Sequence, residues 1–234
     1  EGDVPVLKLR NPHSILATLA KRPKDVVRLT LPKEAQGYWR QVGEQARKGS
    51  VPVASGAIAE AEIREAKPLA IEELLPRAAE GASPGVWLAL DQLQDPQNVG
   101  AIFRNAAFFG ARGVILTADR SAGLTSTVYD VASGGVDSVP FSVEVNMRRV
   151  MEMAKERGLW TLGTSETAKE SFRAFTLDRS WLLVMGNEEK GMRRLVEETC
   201  DCTCAVPPAP NSPVGSLNVS VAAGVLLAQL LRSG

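Results

Sequence analysis

The sequence of 234 residues contains few of the side chains on which metal sites depend. It has one histidine, His13, and three cysteines, Cys200, Cys202 and Cys204. A structural zinc site usually needs two pairs of such ligands, whereas these cysteines alternate along one short segment. If that segment is a strand, all three lie on one face. We therefore expect buried structural thiols and no bound metal. The three cysteines also lie close together in the sequence, unlike the well-separated cysteines of a disulfide framework. This favours a reducing compartment.

Long apolar runs are absent as well. A membrane-spanning helix needs about 18 consecutive apolar residues, and the longest apolar segment, 219–231, is interrupted by Ser220 and Gln229. We therefore expect no membrane segment and a cytoplasmic location. The chain begins with Glu1 rather than Met, so an organellar location stays open if a targeting segment was removed.

The net charge is zero, but the charges are unevenly distributed. Between Lys8 and Lys48 there are ten basic and three acidic residues, whereas between Ile58 and Glu80 there are six acidic and three basic residues. A basic first segment fits a polyanionic partner, because Lys and Arg release counterions when they bind phosphates. The alternative is an ordinary solvated surface.

From Gly85 onward, apolar strand patterns alternate with helix patterns. Segments that are apolar throughout, such as Val86–Leu90, are typical of strands buried on both faces of a parallel sheet. We predict strands at 26–31, 51–54, 86–90, 113–117, 159–163, 181–185 and 202–206, and helices at 12–20, 33–48, 99–109, 147–157 and 216–231. This alternation predicts an α/β fold with a mostly parallel sheet.

The same patterns divide the chain into three parts. We predict a small α/β domain at residues 1–75, a linker at 76–85 and a larger domain with the parallel sheet at 86–234. The stretch 66–84 is rich in Pro and Gly, so it suits a connection that carries one short helix.

Several predicted strands end in segments rich in Gly, Ser, Thr, Asn and Glu. Ligands of open parallel sheets bind at the carboxyl ends of strands, where glycines allow a close approach to the backbone. These segments are Asp91–Gly100, Gly163–Ser165, Gly186–Gly191 and Val206–Asn218. Glycines follow the strands of any α/β protein, but several polar ends in succession favour a ligand pocket.

The segment Asp91–Gly100 leads into a predicted helix that carries Arg104. A polar loop at a helix N-terminus is a natural anion site. An arginine among apolar neighbours also needs an anionic partner. The partner of Arg104 is either an anionic ligand or one of two nearby carboxylates, Asp91 and Asp95.

The last predicted helix begins at the end of the fourth polar segment. Its first residue, Ser216, has a hydroxyl that suits an N-cap. Asn218 would then lie in the first turn, at the pocket. This capping role needs no ligand, so we expect it with or without a functional site.

Three blocks of the sequence resemble the SpoU (TrmH-type) branch of the SPOUT RNA 2′-O-ribose methyltransferases. They are Asn98–Arg104, Met185–Gly191, and Val206–Pro207 followed by Ser216–Ala222. Their order and their placement after strands match the family over residues 86–231. One such block is weak evidence for the family, but three blocks in this order are specific evidence for it.

The resemblance implies properties that neither composition nor spacing shows. It implies a trefoil knot near the carboxyl end, although knots are rare, a homodimer in which the knotted regions pack together, and an L30e-like RNA-binding fold for the first domain. It also implies S-adenosylmethionine as cofactor, in contact with Thr164, Gly186, Val206 and Leu217. The catalytic positions that it implies are Asn98, Arg104, Glu188, Ser216 and Asn218.

We therefore predict methyl transfer to a ribose 2′-hydroxyl of a structured RNA, with rRNA favoured over tRNA. Arg104 is expected to hold the phosphate next to the target ribose and to polarise the hydroxyl, because a guanidinium is already protonated and cannot act as the acceptor of a proton. Asn98, Ser216 and Asn218 would position the ribose and the loop, and Glu188 would order the pocket.

Two other classes of protein fit the sequence less well. A nicotinamide-dependent oxidoreductase would carry G-x-G-x-x-G after its first strand, and the sequence has no such motif. A catalytically silent RNA-binding protein of the same fold would be expected to have lost Arg104 or the pair Ser216 and Asn218. All three residues are present.

Overall fold

The computed structural model of the chain describes residues 6–75 and 83–232, and these form two sheets. The first sheet has four strands, β1 (Val6–Leu9), β2 (Val26–Leu31), β3 (Val53–Ser55) and β4 (Glu60–Arg64), with helices α1 (Pro12–Lys21) and α2 (Tyr38–Lys48) between them. Its spatial order is β1-β4-β2-β3. Strand β4 runs antiparallel to both neighbours, while β3 is parallel to β2 and forms an edge.

Two strands of this sheet were not predicted, and helix α2 begins later than expected. In β4, charged residues alternate with the buried Ala61 and Ile63, so the sequence looks like a solvated acidic surface. Helix α2 was predicted from residue 33 but begins at Tyr38, because Gly37 adopts a φ of 57°, which a right-handed helix cannot contain.

The second sheet confirms the predicted α/β class. Its strands are β5 (Val86–Leu90), β6 (Gly113–Thr117), β7 (Phe141–Glu144), β8 (Trp160–Thr164), β9 (Trp181–Met185) and β10 (Cys202–Cys204). Their order is β10-β8-β9-β5-β6-β7, and every one of these pairings is parallel. Its helices are α3 (Ile71–Leu74), α4 (Pro96–Phe109), α5 (Ser126–Ala132), α6 (Gly135–Ser138), α7 (Met147–Glu156), α8 (Arg194–Glu197) and α9 (Val219–Arg232). Strand β7 and helices α5, α6 and α8 were not predicted, and the trefoil knot stays a prediction.

Helices cover both faces of this sheet. Alternate residues of β5 point to opposite faces: Leu88 packs in one apolar cluster with Phe103 of α4, and Trp87 packs in the other with Met151 of α7. All five residues of β5 are therefore buried, which explains the continuous apolar run. In the described ranges, no helix has the length and apolar character needed to cross a membrane.

The two sheets are joined through α5 and α6. The Asp137 carboxylate, which is almost fully buried, accepts hydrogen bonds from Arg22 Nε at 2.5 Å and from Thr18 Oγ1 at 2.6 Å. The Tyr129 hydroxyl accepts one from the Ala66 backbone N–H at 2.8 Å, and burial raises the pKa of Tyr129 to about 12. The four-stranded sheet and its helices, called the first unit below, are thus held to the second sheet by an ion pair and by hydrogen bonds. The predicted domain boundaries stay a prediction, and 76–82 of the predicted linker lie outside the described residues.

The cysteines are free thiols, and they share one strand only in part. Cys202 and Cys204 lie on β10, whereas Cys200 precedes it, so the expected common face of three thiols is wrong. Cys204 is buried and the other two are half-buried. Burial raises the pKa of Cys200 and of Cys204 to about 12, which keeps both thiols protonated.

Candidate active site

Four neighbouring strand ends meet at one rim of the parallel sheet. Strands β10, β8, β9 and β5 are adjacent and parallel, so their carboxyl ends converge. A cavity of about 460 Å³ lies at this rim, lined by residues that follow β8, β9 and β10 and by the start of α9. Cofactor sites usually measure roughly 300–1,000 Å³, so the cavity has the size of a small-molecule site.

All four residues predicted to contact the cofactor line this cavity. They are Thr164, Gly186, Val206 and Leu217, and two of the predicted catalytic residues, Glu188 and Ser216, line it as well. The lining contains four glutamates and one lysine among its charged side chains, namely Glu166, Glu188, Glu189, Glu197 and Lys190. The cavity therefore carries an excess of negative charge, which suits a cationic ligand.

The loop after β9 is a tight turn that only glycine can begin. The backbones of Asn187 and Gly191 exchange two hydrogen bonds of 2.9 Å. A Cβ at Gly186 would lie 2.2 Å from the backbone nitrogen of Met192 and 2.3 Å from the carbonyl carbon of Gly191. Because these neighbours are backbone atoms, they cannot move aside, and the wall of the cavity depends on Gly186.

Three predicted catalytic residues form one hydrogen-bonded network at the rim. The buried Asn98 accepts a hydrogen bond from Asn218 Nδ2 at 2.9 Å and donates one to Glu188 Oε1 at 3.3 Å. The amide of Asn98 is thus held on both sides. These contacts join residues that are 90 and 120 positions apart in sequence.

Glu188 connects this network to the beginning of α4. Its carboxylate accepts hydrogen bonds from the backbone N–H of Asp95 at 3.1 Å and of Gln94 at 3.3 Å. Partial burial alone would raise the pKa of Glu188. Hydrogen bonds from its own backbone N–H and from Asp95, Asn98 and Gln94 together lower the pKa by more, so it lies below its ordinary value. Glu188 is therefore charged at neutral pH, and its role in ordering the pocket stays a prediction.

The prediction that Ser216 caps the last helix is wrong. Helix α9 begins at Val219, and Asn218 is its cap: the Asn218 Oδ1 accepts hydrogen bonds from the backbone N–H of Ser220 at 2.9 Å and of Val221 at 3.4 Å. Asparagine is as good a cap as serine. Ser216 is exposed on the preceding loop, where it lines the cavity.

Arg104 lies apart from this network. Its side chain is exposed on α4, and it does not line the cavity. Neither carboxylate considered in the sequence is its partner, because Asp91 is bound by Arg193 and Asp95 accepts the backbone N–H of Gln97 at 2.8 Å. Among the described residues, Arg104 forms no ion pair, so its guanidinium is free to bind an anion.

An ion pair at the end of β5 was not predicted from the sequence. The fully buried carboxylate of Asp91, at the end of β5, receives the guanidinium of Arg193 at 2.5–3.1 Å and also its backbone N–H at 3.3 Å. Arg193 ends the loop that begins at Gly186, so the pair fixes this loop to β5. The two residues are 102 positions apart, and no local pattern marks them as partners.

The model of the SpoU rRNA methylase family matches residues 85–228. The chain belongs to this family.

The chain is similar to bacterial proteins that are named as 23S rRNA methyltransferases. The 23S rRNA (guanosine-2′-O-)-methyltransferase RlmB of Nitrosomonas europaea is 42% identical over 162 residues, which span 69% of this chain and 60% of that protein. The protein of the same name from Pseudomonas aeruginosa is 37% identical over 243 residues, which span 96% of both chains. The match thus covers less than two thirds of the first relative and nearly all of the second.

Solved structures match the fold over nearly the whole chain. The SpoU methyltransferase AviRb from Streptomyces viridochromogenes, in complex with the cofactor AdoMet, superposes with a TM-score of 0.81 at 21% identity and covers 97% of this chain and 90% of that one. The A. aeolicus TrmH/SpoU tRNA modifying enzyme superposes with a TM-score of 0.56 over 69% of this chain and 79% of that one, at 22% identity. The fold class predicted from the sequence is therefore confirmed.

Proposed function

We propose that this member of the SpoU family transfers a methyl group from S-adenosylmethionine to a ribose 2′-hydroxyl of 23S rRNA. The observation that carries the proposal is the network of Asn98, Glu188 and Asn218, which lies beside a cavity of cofactor size. The family match over residues 85–228 supports it independently.

The cavity fits this cofactor in size and in charge. Its excess of glutamate favours a sulfonium cation, and backbone amides after three strands offer hydrogen bonds to adenine and hydroxyl groups. Thr164, Gly186, Val206 and Leu217 would hold the cofactor, as the family resemblance implies. When bound, S-adenosylmethionine supplies a methyl group that is already activated, so the protein has mainly to align the ribose oxygen with it.

The side chains at the rim suit this alignment. Asn98 is fixed by Glu188 and Asn218, so its amide would present one constant geometry to a ribose. The free guanidinium of Arg104 would bind the phosphate next to the target ribose and polarise the 2′-hydroxyl. Among the described residues, no histidine lies near the rim that could act as a general base instead. Ser216, exposed on the loop that lines the cavity, would position that loop.

A guanosine of 23S rRNA is the proposed target, because the relatives named for that reaction are 37–42% identical to this chain. A tRNA substrate is the second candidate, and a catalytically silent RNA-binding protein is the third. We also propose that residues 1–75 form an RNA-binding domain, and that the protein acts in the compartment in which rRNA is made, namely the bacterial cytoplasm or an organelle.

We propose a homodimer in which a second copy completes the active site. Large apolar side chains are exposed on α4, on α9 and on the loop before α9: Phe108 is 70% exposed, Val221 50% and Leu217 46%. Burial of such side chains is favourable. Arg104 lies on the same helix as Phe108 and outside its own cavity, so the proposed role of Arg104 suits the cavity of the partner.

A mixing experiment tests this arrangement. Neither Arg104→Ala nor Glu188→Ala should be active alone, but an equal mixture that exchanges subunits should recover about a quarter of the wild-type activity, since half of the dimers then contain one intact site. A mixture that stays inactive although the subunits have exchanged would contradict the shared site.

The methyl transfer itself is tested in two measurements. Calorimetric titration with S-adenosylmethionine should show binding by the wild-type protein and by Arg104→Ala. Mapping of alkali-resistant positions in protein-free 23S rRNA should show one new 2′-O-methyl group with the wild-type protein and none with Arg104→Ala. The control is Arg148→Ala, which removes an exposed arginine of α7 and should change neither result. If the wild-type protein binds the cofactor and methylates tRNA but not rRNA, the second candidate replaces the first.

A further inference from the structure

The basic segment at residues 8–48 separates into two groups of cations. Lys8, Arg10 and Arg28 form ion pairs of 2.8–3.8 Å with the acidic residues of β4, Glu60 and Glu62. In this part of the sheet, two carboxylates of the acidic segment offset two of the three cations. Only one net positive charge is left to attract a polyanion.

The second group of cations lacks such partners. Lys33 and Arg47 are exposed, and no carboxylate of the described residues lies within ion-pair distance of either side chain. Arg40 is 3.8 Å from Glu44, with both side chains exposed to solvent, so that pair is weak. Lys21, Lys24 and Lys48 are also exposed without an ion pair among the described residues, so the positive charge of the first unit is only partly that of Lys33, Arg40 and Arg47.

These three cations line one groove. It measures about 480 Å³ and lies between α2, the loop that follows β2, and the edge strand β3. The guanidinium of Arg47 lies beside Gly43 on the helix, where a Cβ would be 3.9 Å from Nη1. Trp39 also lines the groove and is half-buried. The groove thus combines an aromatic side chain with cations from two sides.

We propose that this groove binds a single-stranded segment of the RNA substrate, with Lys33, Arg40 and Arg47 on its phosphates and Trp39 against an unstacked base. The inference rests on the proposed function in taking RNA as the ligand. A cationic groove that follows the backbone, together with an aromatic side chain, is the usual means of holding single-stranded nucleic acid. A duplex would not offer an unstacked base.

The chain provides a matched pair of double variants. Lys33→Ala with Arg47→Ala removes two unpaired cations of the groove, and Lys8→Ala with Arg28→Ala removes one lysine and one arginine that are paired. Both doubles change the net charge of the protein equally. If only the overall charge of the protein determined RNA binding, both double variants would therefore lose the same RNA affinity.

Binding is measured with a labelled oligouridylate over a range of salt concentrations. The groove double should bind about tenfold more weakly than wild type, and the slope of log K against log salt should fall by about 1.4, since each phosphate contact of a single strand contributes about 0.7. The paired double should stay within about twofold of wild type. On rRNA, the groove double should raise KM without changing kcat, because the groove lies apart from the reacting atoms.

Two results with the variants would overturn the proposal: an equal loss of affinity in both doubles, or no loss in the groove double. Two results with competitors would also overturn it. In the first, duplex RNA displaces the oligouridylate as well as single-stranded RNA does. In the second, polyaspartate does so, which would indicate an acidic protein as the partner. Titration with S-adenosylmethionine shows that each double retains its cavity. Binding of oligouridylate is measured without any methyl transfer. A groove that does not bind RNA can therefore be distinguished from a protein that has no methyltransferase activity.

Discussion

Replacing Arg193 with alanine should destabilise the protein more than replacing its partner Asp91 with alanine. The two side chains form one ion pair, but the Asp91 carboxylate is fully buried, whereas the Arg193 side chain is 45% exposed. In Arg193→Ala the carboxylate is left without a guanidinium and without water, a loss of about 3–5 kcal/mol for a buried pair. In Asp91→Ala the guanidinium can turn into solvent, so the loss is about 1–2 kcal/mol, mainly that of the hydrogen bonds.

The double variant adds a second measurement. Removing Asp91 as well as Arg193 also removes the orphaned charge, so the double variant should be more stable than Arg193→Ala alone. A double-mutant cycle expresses this as a coupling energy, which contacting residues show at about 0.5–3 kcal/mol. Urea unfolding, followed by the fluorescence of tryptophan and by far-ultraviolet circular dichroism, gives the stability of all four proteins.

The same variants report on the cavity. Arg193 ends the loop that begins at Gly186, so a loosened pair should weaken binding of S-adenosylmethionine, and Arg193→Ala should do so more than Asp91→Ala. Arg28→Ala, which removes an exposed pair with Glu62, serves as control and should cost less than about 1 kcal/mol. If Arg193→Ala is as stable as Asp91→Ala, the argument from unequal burial is refuted.

Three further predictions concern other parts of the molecule. Gly186→Ala should weaken cofactor binding by at least about tenfold in calorimetry, since its Cβ would meet backbone at 2.2 Å; unchanged affinity would contradict this. Asp137→Ala should cost about 3 kcal/mol in urea unfolding, as Arg22 loses a buried partner; a loss below about 1 kcal/mol would argue against the joint. The Glu188 pKa is lowered by folding, so its contribution to stability is present above the ordinary glutamate pKa and is lost as the pH falls through the folded value. The stability difference between wild type and Glu188→Gln should therefore narrow in acid, and a constant difference would refute this.

The bounds of strands buried on both faces could be predicted from the sequence, whereas the half-exposed strand β4 was missed. Strands β5, β6 and β9 are apolar throughout because helices cover both faces of the sheet, so their bounds were predicted correctly. Strand β4 alternates charged and apolar residues and resembles a solvated segment. In the sequence it appeared only as a change in the sign of the charge.

The residues of the site could be predicted only as members of motifs. Asn98, Glu188 and Asn218 lie in three separate blocks, and the family resemblance placed all three in one site. The geometry that joins them could not be predicted, because hydrogen bonds between residues about 100 positions apart leave no periodic pattern. Ser216 shows the limit of local reasoning: serine and asparagine both cap helices, and only the backbone shows which of the two begins α9.

The joint between the two units determines how the proposed RNA groove can contribute. Asp137 and Tyr129 anchor the first unit through buried polar contacts, and a single apolar cluster runs from Leu29 of β2 to Phe103 of α4. A flexible tether would let the groove raise only the local concentration of RNA around the active site. A fixed joint instead sets a constant span between groove and cavity, so an RNA that bridges this span is favoured over one that only matches either end. Shortening the RNA between the two contact points should therefore weaken binding to wild type, and it should have little effect once Lys33 and Arg47 are removed.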